Sequence, residues 1–123
     1  MSAPPENVRM KSVYDPAETG DGVRVLVTQY WPRGVPKEAV DEYVRVLGPS
    51  RELLHAFKHE GMGWETYRAR YLYEMAREAA RHEISRLAEM ARAGHVTLLC
   101  VCREQTHCHR SLLRELVLAE AES

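Results

Sequence analysis

All three cysteines of the chain fall in one short stretch, Cys100-Val101-Cys102-Arg103-Glu104-Gln105-Thr106-His107-Cys108-His109-Arg110. Two histidines and two arginines share it. Thiols and imidazoles are the groups from which proteins build nucleophiles, proton acceptors and metal ligands. Cys108 is the candidate nucleophile, because a helix start and Arg110 would both favour its thiolate. His109 is the candidate base, although it also reads as a cap or an exposed side chain. Adjacent helix residues point about 100° apart, so the two need not touch. Cys100 and Cys102 read first as packing, since cysteine in a strand behaves as a small hydrophobe.

Spacing excludes several familiar sites. A phosphatase-type loop needs Cys, five residues and Arg, and the position six beyond Cys102 is Cys108. Cys-x-x-Cys pairs are absent, so neither a thioredoxin-like motif nor a zinc ribbon is present. Two cysteines on one face of a strand stand about 6.6 Å apart, which is stretched for one tetrahedral ion. No metal and no cofactor is assigned on this reading.

The stretch gains its interest from where it must sit. Val96 to Cys102 is apolar on both faces apart from Thr97, as in a central strand covered on both sides. Leu112, Leu113, Leu116 and Val117 mark a helix over 109–121. The cluster therefore lies where a strand ends and a helix begins, a position that attracts anions. A second strand, Val23 to Gln29, runs into Trp31-Pro32-Arg33-Gly34. If the two strands are parallel neighbours, Trp31 becomes an aromatic wall, and Arg33 and Arg110 bind the charge of a small anionic ligand. In the alternative, Trp31 caps the core and Arg33 ties the loop down.

The remaining elements complete a small single domain. Val8 to Tyr14 predicts a short strand. Pro36 opens an expected helix with Val40, Tyr43, Val44 and Leu47 on one face. Ser50 is a plausible N-cap for a helix carrying Leu53, Leu54 and Phe57 inward. Trp64 to Arg92 reads as helix with a break near Arg81-His82, and residues 1–7 as a disordered tail before a domain over 8–121. Two strands, several helices, a strand and a helix in this order predict an α/β fold with a short, mainly parallel sheet and helices packed on it.

Composition narrows the function classes. The chain has 123 residues, 45% hydrophobic and 28% charged, an ordinary globular balance. Its 17 basic and 18 acidic side chains leave a net charge of −1, so no global field for nucleic acid or acidic lipid exists. Nucleic acid stays open through a local arginine-lined face, and oligomeric state is not readable. No apolar run approaches a membrane span. The N-terminal residues lack a secretory signal, which makes the cytoplasm the expected compartment.

Val23 to Gly34, reading VRVLVTQYWPRG, resembles the strand–loop segment of the YeaO-like proteins (domain of unknown function 488). The similarity continues through Gly48-Pro49-Ser50-Arg51-Glu52-Leu53, Trp64 to Tyr71 and Val96 to Leu99, and covers about residues 8–118. The resemblance implies the fold and leaves the reaction open. The chain departs from the family where Thr28-Gln29 replaces Asp-Arg and where Ser12 replaces Arg. Cys108-His109-Arg110 resembles the Cys-His-Arg triplet of a longer branch, which has Glu at the position of Cys102. Functions carried by the lost Asp and Arg do not transfer. The two functional classes implied are a Cys/His enzyme on a small anionic substrate and a non-catalytic anion-binding or regulatory module, with a metal or redox sensor as a third.

Overall fold

A computed structural model describes residues 3–102 and 107–122. Four parallel strands form one sheet in the order β1-β4-β2-β3. They are β1 (Val8–Ser12), β2 (Val23–Leu26), β3 (Glu42–Tyr43) and β4 (Val96–Cys100). The helices are α1 (Arg51–His59), α2 (Trp64–Met75), α3 (Glu78–Ala93) and α4 (His109–Ala121). This is the expected α/β class, and α4 spans the expected residues. Strand β4 lies between β1 and β2, with Met10 and Val25 both opposite Leu98. All five of its residues are buried, as its two-sided apolar pattern requires.

Alternation along the strands divides the core. Val25, Val27, Val96 and Leu98 pack against Leu53, Tyr71, Leu87, Leu113 and their neighbours from the helices. Leu26 and Leu99 face the other way and meet Val13 and Val35, flanked by Val40 and Tyr43. That second face is covered by irregular chain.

The helix expected from Pro36 is not formed. Residues Lys37–Ala39 and Arg45–Leu47 make single 3₁₀ turns, and β3 lies between them. Val40 and Tyr43 join the cluster on the irregular face, whereas Val44 and Leu47 join the helical one. Helical spacing was present, but its apolar residues serve opposite faces of the sheet.

Two other boundaries move. The long helix breaks after Met75 rather than near Arg81-His82, with Arg77 extended as the N-cap of α3. Strand β4 ends at Cys100, so Cys102 is outside it. The first residues also differ from a free tail over their described part. Pro5–Asn7 forms a 3₁₀ turn, Ala3 is buried, and the Asn7 amide donates to the Ala91 carbonyl at 2.7 Å. Among the described residues no helix is long and apolar enough to cross a membrane.

Two local devices hold the ends of β2 and α1. The Ser50 hydroxyl accepts from the Leu53 N–H at 3.1 Å, the expected cap, and donates to Glu74 of α2. Gly48 passes against the chain leaving β2, where a Cβ would stand 2.6 Å from the Thr28 carbonyl carbon and the Gln29 nitrogen. Both obstacles are backbone and cannot swing aside. Gly48→Ala is therefore expected to cost about 1–3 kcal/mol. Urea denaturation checks this, and an unchanged midpoint would refute the close approach.

Candidate functional site

Strands β2 and β4 are parallel neighbours, so their carboxyl ends open on the same side. A cavity of about 230 Å³ lies there. Thr28 to Pro32 and Pro49 line it from the β2 side, and Leu54, Phe57 and Lys58 from α1. Tyr67 of α2 adds a further wall. Cys100, Val101, Cys102, His107, Cys108 and His109 complete it. No described lining residue is acidic, and Lys58 supplies a positive charge.

The structure brings Trp31, Cys108 and His109 into this one cavity. Trp31 is fixed from behind: its indole N–H donates to the Val35 carbonyl at 2.9 Å, and Tyr43 meets its ring edge-on at 5.4 Å. Arg33 follows Pro32 but does not line the cavity. It is exposed, and its backbone carbonyl accepts from the Tyr14 hydroxyl at 3.0 Å.

Arg110 lies deeper. Only 1% of it is exposed, and its guanidinium donates to the carbonyls of Lys11 at 2.5 Å and Cys102 at 2.6 Å. Its Nε has no hydrogen-bond partner among the described residues. The guanidinium thus braces the backbone behind the sulfurs. The expected contributions of Arg103 and of a Glu104 partner for Arg110 fall outside the described residues.

The three sulfurs meet. Cys100 Sγ lies 3.5 Å from Cys102 Sγ and 3.5 Å from Cys108 Sγ, and all three lie within 4.8 Å of one another. The wide strand spacing expected for Cys100 and Cys102 fails for a simple reason. The chain leaves the sheet after Cys100, so the second side chain is freed to turn back towards the first. Cys108 reaches the pair as the N-cap of α4.

Contact among the thiols divides their acidities. Hydrogen bonds from Cys100 and Cys108 hold the Cys102 thiol far below its usual range, assisted by the positive charge of Arg110 and opposed by burial. Donating to Cys102 pushes the Cys100 thiol up to about 11. Donation to Cys100 and Cys102, together with burial, pushes Cys108 up, the reverse of the lowering expected from the helix start and Arg110. The cluster concentrates negative charge on Cys102, the half-buried member.

His109 is fully enclosed, and burial lowers its affinity for a second proton. Its Nε2 lies 2.5 Å from the Val27 carbonyl oxygen. A carbonyl can only accept, so Nε2 carries the hydrogen and Nδ1 presents a lone pair. That Nδ1 stands 3.9 Å from Cys108 Sγ. The neighbours expected to diverge on a helix do meet, because Cys108 is extended and precedes the first helical turn.

Aromatic rings support this floor. His107 stacks on Trp64 at 4.9 Å, Trp64 on Tyr67 at 5.4 Å, and Tyr71 packs beside His109 at 5.5 Å. Sequence reasoning found Leu54 and Phe57 as inward residues but not their second role as cavity walls. It also missed Lys58 and Tyr67. No local pattern marks them, because α1 and α2 reach the cavity only through tertiary packing.

The family model described as "Active DUF488-N3 subclade" matches residues 8–121. The chain is 40% identical over 111 residues to the uncharacterized protein YeaO of Escherichia coli, covering 89% of this chain and 95% of that one. Uncharacterized proteins of Mycobacterium bovis and Mycobacterium tuberculosis are each 30% identical over 112 residues, covering 89% of this chain and 92% of theirs. No solved structure matches the chain significantly.

Proposed function

The chain belongs to the DUF488 family of YeaO-like proteins, and within it we propose that the cavity at the ends of β2 and β4 takes a small anionic ligand and acts on it with sulfur. Cys108 and His109 are the reacting pair. Trp31 is the wall against which the ligand's apolar body lies, and Lys58 meets its charge. Arg33, at the end of the Trp31 turn, and Arg110, behind the sulfurs, add positive potential. The observation that carries this reading is the lining itself: three sulfurs, an imidazole lone pair turned to Cys108, aromatic walls and no described carboxylate.

The chemistry such a floor supports is attack by a thiolate on an electrophilic centre of the ligand. Because the resting contacts favour the thiolate at Cys102, Cys108 attacks only as its proton passes to His109 Nδ1, 3.9 Å away. Cys100 and Cys102 extend the contact network on the other side at 3.5 Å steps. The positive surroundings favour an anion that brings its own electrophile.

Paired alkylating reagents test this directly. Iodoacetate carries a negative charge and iodoacetamide does not, while the reacting carbon is the same. Relative to a free cysteine peptide, the folded chain is expected to favour iodoacetate, with the modification on the cavity cysteines. Trp31→Ala should reduce protection by benzoate about tenfold, the effect of losing roughly 1.4 kcal/mol of ring contact, and leave protection by inorganic phosphate little changed. An unchanged reagent preference, with no protection by either anion, would refute the anionic-ligand reading. Thermal stabilisation by the anion without any cysteine modification would instead favour a purely binding role.

A further inference from the structure

We infer that Cys100, Cys102 and Cys108 form a binding site for one soft divalent cation of the zinc class, and that its occupancy silences the cavity thiols. The inference uses the cavity's sulfurs but does not require that the cavity bind an anion.

Geometry is the first support. Three sulfurs about 2.3 Å from one ion stand about 3.8 Å apart in a tetrahedral arrangement. Here two of the separations are 3.5 Å and the third is within 4.8 Å. The observed separations are therefore close to those of three ligands on one ion. The three residues come from the end of β4, the turn after it and the cap of α4, so the fold itself gathers them.

Donor chemistry is the second. Thiolates select soft or borderline ions over magnesium and calcium. Three protein ligands leave a fourth position, and all three cysteines line the cavity, so that position faces it. A three-ligand site with an open place differs from a closed structural site, which takes four. His109 Nδ1 touches only Cys108 among the sulfurs and stands outside the trio.

Charge balance favours a divalent ion. Three thiolates around such an ion carry one net negative charge, and a monovalent ion would leave two. The buried Arg110 guanidinium, held on the Cys102 carbonyl, supplies one positive charge. The amino end of the 13-residue α4 begins at Cys108 and adds favourable potential.

An occupied site withdraws Cys108 from His109, because a thiolate engaged with an ion is a poor nucleophile. Ion binding and thiol reactivity are therefore expected to oppose one another.

The full chain, reduced and stripped with a chelator, is titrated separately with Zn²⁺ and Cd²⁺. One ion per chain should be retained through gel filtration, with Cd–thiolate charge-transfer absorption, and alkylation of all three cysteines should be suppressed together. Cys102→Ser should weaken retention by more than the roughly hundredfold attached to loss of an outer-shell partner. Cys102 is half-buried and outside the sheet, so this variant is expected to fold, which circular dichroism checks. Cys108→Ala gives a second test. Failure to retain either ion, or retention unchanged in both variants, overturns the site. Ion retention with no preference for iodoacetate would uphold this inference and refute only the anionic-ligand reading. The reverse outcome would refute this inference alone.

Discussion

Asp21→Asn is expected to cost about 3–5 kcal/mol, the loss that follows when one partner of a buried charge network is removed. Asp21 is only 1% exposed. Its carboxylate accepts from Arg24 at 2.7 Å and Lys11 at 2.9 Å, with Arg9 at 3.5 Å and the Glu18 N–H at 3.1 Å. Its backbone carbonyl accepts from the Thr97 hydroxyl of β4 at 2.7 Å. The side chain thus joins β1 to β2, and the backbone of the same residue ties them to β4. Asparagine keeps the shape and removes the charge, leaving the buried Arg24 uncompensated. Urea denaturation measures the loss, and a cost below about 1 kcal/mol would show that the network contributes little.

The same carboxylate sets an acid limit. Burial pushes its pKa up, but the bonds from Lys11 and Arg24 outweigh that and hold it below the ordinary carboxylate value. A group lowered on folding stabilises fully above its unfolded pKa. That contribution is lost as pH falls through the folded value. The wild-type chain should therefore lose stability steeply on the acid side of the ordinary carboxylate range. Asp21→Asn should be flatter there.

Arg110→Met should cost about 3 kcal/mol. Methionine replaces much of the buried stem but strips donors from two carbonyls, and each unsatisfied buried group costs roughly 1–3 kcal/mol. Those carbonyls belong to Lys11 of β1 and to Cys102, so the substitution uncouples the sulfur-bearing turn from the sheet. Arg110→Lys keeps the charge but cannot reproduce the two-pronged contact. It should recover only part of the loss. Equal stability of the lysine variant and the parent would show that charge alone matters at this position.

The fold was legible where one residue pattern served one environment. Val96 to Cys100 is apolar on both sides and is buried on both sides. Ser50 caps α1 through its own hydroxyl, and the leucines of α4 share one buried face. The segment after Pro36 misled because Val40 and Tyr43 face one cluster while Val44 and Leu47 face another. A periodicity cannot reveal that its members divide between two sides of a sheet. The α2–α3 break carries no glycine or proline, and Glu74 beside it is held by Ser50.

The site was legible in part for a similar reason. Cys108, His109 and Trp31 share one cavity, as expected from their places at the strand ends and the helix start. Cys102 was assigned to strand packing, since nothing local says that the strand stops two residues earlier. Arg110 was expected to bind ligand charge, but it lies behind the lining, buried on carbonyls from β1 and the turn that sequence does not bring together. Arg33 sits at the expected turn and outside the lining.

Crystals of the reduced chain exposed to Cd²⁺, with diffraction recorded for anomalous signal, test most directly whether three sulfurs share one cavity floor. The expected result is a single strong peak within bonding distance of Cys100, Cys102 and Cys108, on the side facing Trp31. Peaks on separate cysteines, or a peak held by one thiol and a surface carboxylate, would contradict the account.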